Sequence, residues 1–136
     1  YRVSVFDGLI CHIMDARRGQ VYTGIYKADG DGLTCLSEQK AVDIHDILKE
    51  LEEYDEKVIF LGDGVEVHRE TIENELKNEF VFAPVHLSKQ SAAAVAVLGS
   101  IYFEQGKAES ADEHKPIYLR KSQAEREREE RLKNQG

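Results

Sequence analysis

The sequence predicts a single α/β domain built on a mixed β-sheet. Its 136 residues, of which 41% are hydrophobic, suffice for one ordinary core and leave no room for a second full domain. Apolar residues first alternate with polar ones between turn signals, and later form helical stripes separated by short apolar runs. These observations predict the order strand, strand, strand, helix, strand, helix, strand, helix, with a helical tail.

Three β-rich segments open the chain. Residues 9–14 and 21–27 flank a hairpin with Gly19 at its turn, and the Asp-Gly repeat at 29–32 is a second turn signal. Residues 33–37 then form a short third strand. We therefore expect a three-stranded antiparallel meander.

A helix is expected next, from Ile44 to Glu53. Asp43 can cap its first turn, and apolar residues recur on one face. That face consists of Ile44, Ile47, Leu48 and Leu51. Residues 58–61 follow as an unbroken apolar run, which is typical of a strand covered on both faces.

The motif Gly62-Asp63-Gly64 ends this fourth strand. Asp63 and Glu66 have the spacing of a capping box, so a second helix should run to about Lys77. Residues 79–84 contain another short strand. Two glycines at this spacing could also let a phosphate approach the backbone, but a tight turn explains them more simply.

The most apolar helix is predicted from Ser88 to about Gln105. It contains a run of alanine, valine, leucine and glycine over residues 92–99, and Gly106 is a natural stop. Such a helix suits close approach to a sheet, so we expect it to be central and buried.

The complete order of elements is typical of a ribonuclease H-like α/β domain, the single lobe that is duplicated in the actin and sugar-kinase superfamily. We assign residues 1–116 to this domain. Residues 117–136 form an extended segment and a charged helix or tail, in which Ser122 and Glu125 have capping-box spacing before a helix over 123–133.

Charge is unevenly distributed along the chain. The formal net charge is -8, whereas residues 117–136 hold six Lys or Arg against four Asp or Glu. An acidic body argues against an extended phosphate-binding face, which needs clustered basic residues. The sequence thus predicts an acidic domain with a mildly basic tail.

Cysteine, histidine and hydropathy patterns exclude several classes of protein. Cys11 and Cys35 both lie in apolar runs, which favours buried reduced thiols over a disulfide or a metal pair. The five histidines are scattered singly, so no metal ligand set is predicted. No stretch is long and apolar enough to cross a bilayer, so we expect no membrane partner and a cytoplasmic location.

A metal-dependent nuclease is one alternative for this fold. Asp15 and Asp63 end the first and fourth strands, where such enzymes place carboxylates, and Asp46, Glu50 or Glu53 could supply a third. However, Asp15 precedes two arginines, and the body lacks a basic groove. No nucleophile motif is visible either, so the sequence favours a binding or scaffold protein.

Three stretches resemble one known family. They are DARRGQVY across the first hairpin, GDG after the fourth strand, and PIYLRKSQAE before the tail helix. In order and spacing they are similar to the carboxyl-terminal half of the TsaB (YeaZ) family of tRNA threonylcarbamoyladenosine biosynthesis proteins, from about Leu9 to Glu125. The chain would then be the second of the two lobes of such a protein.

This resemblance implies a scaffold without chemistry of its own. TsaB-like proteins are inactive paralogues of the transferase TsaD, and they act with TsaD, the ATPase TsaE and, through the complex, tRNA. No cofactor, metal or catalytic residue is implied for this chain, and formation of a homodimer stays open. Members of this superfamily are sometimes called proteases, but this sequence contains no recognisable metal site or nucleophile motif for proteolysis.

Six basic residues are the candidate contacts to a partner or to tRNA. They are Arg17, Arg18, Arg120, Lys121, Arg126 and Arg128. The two hairpin arginines could instead be solvated or paired with the acidic body, and the basic tail could be solvated too.

Overall fold

A computed structural model describes residues 3–29, 32–119, 125, 128, 131 and 132. In this part of the chain, five strands form one sheet in the order β3-β2-β1-β4-β5. The strands are β1 (Leu9–Asp15), β2 (Gln20–Asp29), β3 (Gly32–Asp43), β4 (Val58–Leu61) and β5 (Phe80–Phe82). β1 pairs antiparallel with β2 and parallel with β4, so the sheet is mixed as the sequence predicts.

Within residues 32–119, four helices follow the meander, two before β5 and two after it. They are α1 (Ile44–Glu52), α2 (Gly64–Glu75), the short α3 (Val85–Ser88) and α4 (Ala92–Glu104). The predicted α/β order is confirmed, with α3 as an additional element. No helix among the described residues is both long and apolar enough to span a membrane.

The core lies on one face of the sheet, which we call the first face. Alternate residues of β1, Leu9, Cys11 and Ile13, point there and are fully buried. They pack with the apolar stripe of α1, which matches the prediction. The Asp43 cap is also confirmed, because its Oδ1 accepts a hydrogen bond of 3.0 Å from the His45 N–H.

The opposite, second face of the sheet has a much smaller core. Its buried apolar residues are Val3, Ile10, Ile59 and Ala83. The intervening positions of β1, His12 and Met14, point to this face and line a groove whose far side is α4.

The expectation that α4 is central and buried is wrong. None of its residues is buried, and Phe103 is 73% exposed. It also begins at Ala92 rather than Ser88, because Ser88 is bound elsewhere: its carbonyl and Oγ both accept hydrogen bonds from the Gly62 N–H. The predicted stop at Gly106 is confirmed by a positive φ of 70°.

Three further expectations need correction. β3 extends to Asp43 rather than Ser37, because it is an edge strand whose solvent-facing residues carry no apolar pattern. Both cysteines were expected to be buried, but only Cys11 is; Cys35 is exposed because it lies on this edge strand. Neither thiol forms a disulfide among the described residues. Asp63 makes no side-chain capping bond to α2, so the predicted capping box is wrong.

The tail is described only in part. Ile117 and Tyr118 are more than four-fifths exposed and lie outside any strand, so the described part of the extended segment stands in solvent. Arg128 and its described neighbours at 125, 131 and 132 are helical and exposed. Ser122 lies outside the described residues, and the division at residue 116 stays a prediction.

Candidate functional site

The hairpin between β1 and β2 has an unusual backbone. Arg17, Arg18 and Gly19 all have positive φ, at 63°, 57° and 75°. A left-handed conformation costs roughly 1–2 kcal/mol for a residue with a Cβ, and only glycine adopts it freely. The prediction that Gly19 lies at the turn of the hairpin is therefore confirmed, but Arg17 and Arg18 also adopt the left-handed conformation.

Neighbouring groups hold this backbone in place. Asp15 Oδ1 accepts a 2.9 Å hydrogen bond from the Arg17 N–H, and the Ala16 N–H donates to the Gln20 carbonyl at 2.9 Å. The first N–H of α1, on Ile44, donates to the Gly19 carbonyl at 2.9 Å. The hairpin tip is thus fixed both to its own strand and to the start of α1.

The two arginine side chains point outward from this fixed tip. Both are exposed, and neither forms an ion pair with any residue in the part of the chain that the structure describes. Of the interpretations left open by the sequence, pairing with the acidic body is not observed among those residues. The structure presents two adjacent cations on a rigid turn.

Gly62-Asp63-Gly64 lies directly beside the hairpin, and its glycines have a packing role. Gly62 has φ of 110°, and a Cβ there would lie 2.1 Å from the Ile13 carbonyl oxygen. A Cβ on Gly64 would lie 3.0 Å from the same oxygen. Close approach of this turn to β1 therefore accounts for both glycines without a bound phosphate.

Asp15 and Asp63 meet at this point, as the nuclease hypothesis requires. Asp63 Oδ1 accepts a 3.3 Å hydrogen bond from the Asp15 N–H, which explains why it does not cap α2. Among the residues described, however, no group of three His, Cys, Asp or Glu side chains is placed to hold a metal ion.

The helix carboxylates considered for the third position lie on α1 or just after it. Glu50 instead pairs with Lys40 of β3 at 2.5 Å. Burial alone would raise the pKa of Glu50, but hydrogen bonds from Lys40 and Ser37 lower it overall. Asp46 is exposed, and Glu53 follows the last turn of α1. The described residues thus supply two of the three carboxylates that the hypothesis needs.

His68 of α2 is a residue that sequence reasoning missed. It is only 6% exposed, and its Nε2 has no hydrogen-bond partner among the residues that the structure describes. The nearest carboxylate oxygen, Asp15 Oδ1, is 3.9 Å away, which is too long for a hydrogen bond. His68 lies three residues after Val65 and four before Ile72 on the helix. This spacing could have predicted that it shares their buried face.

Burial also shifts the pKa of two side chains on β1, Cys11 and His12. The Cys11 thiol is fully buried beside the Thr23 hydroxyl at 3.5 Å, and burial raises its pKa to about 12. His12 faces the groove under α4, and burial lowers its pKa.

The basic tail cannot be joined to this site from the described residues. Arg120, Lys121 and Arg126 lie outside them, and Arg128 is exposed. Their proposed contacts stay predictions.

Comparison with known proteins finds a curated relative by sequence and several similar solved chains, and one match of each kind follows. A tRNA threonylcarbamoyladenosine biosynthesis protein TsaB from Bacillus subtilis (strain 168) is 37% identical over 122 residues, which cover 88% of this chain and 51% of that protein. No protein-family model matches. The chain therefore spans about half the length of this curated relative.

The second match is a crystal structure described as an uncharacterized protein with similarity to peptidase YeaZ from Pseudomonas aeruginosa. It superposes with a TM-score of 0.61 at 16% identity, over 82% of this chain and 49% of that one. At this identity the likeness concerns the fold, and it agrees with the ribonuclease H-like α/β architecture.

Proposed function

Because this chain is a TsaB-family sequence spanning about half of its relative, we propose that it is a non-catalytic scaffold subunit in tRNA modification. The reaction would be formation of the threonylcarbamoyl group on the tRNA adenosine next to the anticodon. The observation that carries the proposal is the 37% identity over 122 residues to TsaB of Bacillus subtilis.

The local geometry supports a role without chemistry of its own. A phosphate-binding loop needs small residues so that backbone amides can approach the ligand. The first hairpin instead carries Arg17 and Arg18, and the glycines of the second turn are needed for contact with Ile13. Both turns are therefore better suited to supporting structure than to holding a nucleotide.

The partners we propose are a TsaD-like transferase and a TsaE-like ATPase, with tRNA reached through the complex. Arg17 and Arg18 are the best contact candidates among the described residues, because a fixed turn loses little conformational freedom on binding. Their adjacent guanidinium groups suit carboxylates or phosphates on a partner.

The test is a reconstituted transfer reaction in which this chain replaces the matching region of Bacillus subtilis TsaB. Such a chimera is mixed with TsaD, TsaE, tRNA and TsaC, the enzyme that makes the threonylcarbamoyl-adenylate. It should stimulate threonylcarbamoyl transfer to within about threefold of native TsaB. A folded chimera that gives no stimulation would contradict the proposed role. Transfer that persists when TsaD is omitted would contradict the non-catalytic assignment.

Charge reversal at the hairpin sharpens this test. Arg17→Glu with Arg18→Glu should lower the stimulation at least about tenfold, since a charged interface contact is commonly worth more than 1.4 kcal/mol. The matched control is Lys49→Glu with Lys115→Glu, two exposed cations away from the hairpin. Equal losses in both double variants would show that net charge, and not the hairpin, is responsible.

A further inference from the structure

His68 lies on the buried side of α2, and yet its imidazole is incompletely bonded. Its Nε2 has no hydrogen-bond partner among the described residues, although the residue is only 6% exposed. A buried polar atom without a partner destabilises a fold, and an apolar side chain would fill this position without that cost. Packing alone therefore does not explain why a histidine occupies this position.

The unbonded nitrogen faces the carboxylate at the end of β1. Nε2 lies 3.9 Å from Asp15 Oδ1, which is about 1 Å beyond a normal hydrogen bond. A neutral imidazole carries one proton, and the tautomer with that proton on Nε2 directs an N–H at the carboxylate. The other tautomer directs a lone pair at it. The position of Asp15 thus favours His68 as a donor towards this oxygen.

The same carboxylate oxygen supports the left-handed hairpin. Asp15 Oδ1 accepts the 2.9 Å hydrogen bond from the Arg17 N–H, and Arg17 and Arg18 both have positive φ. Such a backbone persists at residues with a Cβ only where the surrounding structure enforces it. A carboxylate oxygen can accept more than one hydrogen bond, so Oδ1 can bond Arg17 and face His68 at once. Asp15 therefore links a buried helix to the exposed arginine pair.

The start of α2 also fixes the backbone of Asp15. Asp63, in the turn before the helix, accepts a 3.3 Å hydrogen bond from the Asp15 N–H. A Cβ on Gly64 would lie only 3.2 Å from that nitrogen, so the two segments are in close contact. The turn therefore holds the backbone of Asp15, while its side chain faces His68, about one turn further along α2.

Two other roles fit His68 less well. The described residues offer no group of three His, Cys, Asp or Glu side chains placed to hold a metal ion, so His68 has no ligand set around it there. Its ring is also too deeply buried to touch a substrate or a partner. An effect on function must pass through a residue that His68 faces, and Asp15 leads to the exposed hairpin.

We propose that His68 is a positioning residue for the arginine hairpin. Its Nε2–H attracts the Asp15 carboxylate and keeps it oriented towards the Arg17 N–H. Arg17 and Arg18 are thereby held in place for contact with a partner. The contact with a partner rests on the function proposed above, whereas the effect on the hairpin is a property of this chain alone.

NMR spectroscopy of the isotope-labelled chain tests the effect on the hairpin. The imidazole nitrogen chemical shifts of the unsubstituted protein should place a proton on Nε2 of His68. His68→Leu should accelerate solvent exchange of the Arg17 amide at least about fivefold, because the carboxylate that bonds this amide loses its support. His68→Gln should stay within about twofold of the wild type, since glutamine keeps an N–H donor at the end of its side chain.

Ile72→Val is the control for the packing of α2. Ile72 is fully buried on the same side of the helix, so its truncation should lower the urea midpoint of unfolding without changing exchange at Arg17. His68→Leu should leave that midpoint unchanged or raise it, because it removes an unbonded polar atom from the core. Hairpin order and overall stability therefore respond differently to the two substitutions.

The link to function is measured with the chimera described above. His68→Leu should lower its stimulation of threonylcarbamoyl transfer about fivefold, and His68→Gln should retain it. Unchanged stimulation despite faster Arg17 exchange would refute the contribution to partner contact. An Nε2 without a proton, Arg17 exchange that His68→Leu leaves unchanged, or equal acceleration by Ile72→Val would overturn the positioning role. If the unsubstituted chimera gives no stimulation, the proposed function fails, and the NMR measurements still decide whether His68 positions the hairpin.

Discussion

The two faces of the sheet differ in how completely this chain covers them. Among the described residues, the first face has 14 buried residues in one cluster with α1 and α2, whereas the second face has four. Both faces have apolar side chains from the same strands, and both have a helix nearby. The difference lies in the helices, because α1 is amphipathic and α4 is not.

This comparison shows how many sides of each helix need to be covered by other residues. An amphipathic helix such as α1 needs one partner, and its own chain supplies it. A uniformly apolar helix such as α4 needs partners on several sides, and the described chain supplies one of them incompletely. The first face therefore holds most of the buried core, whereas the described residues cover the second face only in part.

Alanine in place of glycine should have opposite effects in the turn after β4 and on α4. Gly62→Ala should lower the free energy of unfolding by roughly 2–4 kcal/mol, because φ is positive and the new Cβ would clash with the Ile13 carbonyl. Gly99→Ala on α4 has open space within 4 Å and should raise that energy by up to about 1 kcal/mol. Urea denaturation measures both, and a substantial loss in Gly99→Ala would mean that α4 is closely packed.

A smaller, pH-dependent effect is expected at the outer side of the first face. His45 of α1 contacts Glu75 of α2 at 2.6 Å, and this hydrogen bond raises the pKa of His45 above its ordinary 6.5. A raised pKa in the folded state means that protonated His45 stabilises the fold. That stabilisation is full below about pH 6.5 and is lost as the pH rises through the folded-state pKa.

Unfolding curves for the wild type and His45→Gln should therefore converge as the pH rises from about 6 to 8. The control is His45→Gln made in a Glu75→Gln background, where His45 has lost this carboxylate partner and the pH dependence of the difference should shrink. A difference between wild type and His45→Gln that stays constant or grows with pH would show that the contact with Glu75 does not hold the two helices together.

Local signals were enough to predict most of the first face. The stripe and cap of α1 depend on residues within a few positions of one another, as does the unbroken apolar run of β4. β3 was predicted too short because an edge strand is held by its neighbour's backbone and not by its own apolar pattern.

The remaining errors involve contacts between distant segments. Asp63 has capping-box spacing, but the Asp15 N–H, 48 residues away, binds its carboxylate instead. The composition of α4 predicted a buried helix, and this was wrong because burial depends on a covering surface that the described residues supply only in part. At the hairpin, sequence singled out Arg17 and Arg18, and only the structure revealed their shared left-handed backbone.

Amide hydrogen exchange of this chain alone tests the contrast between the faces most directly. Exchange reports local opening, which requires less energy where few apolar contacts must be broken. Amides of α4 should exchange with much lower protection than those of β1 and β4, which lie within the buried core. Protection of α4 equal to that of β1 would show that its own chain already buries it, and would contradict the contrast between a covered first face and an incompletely covered second face.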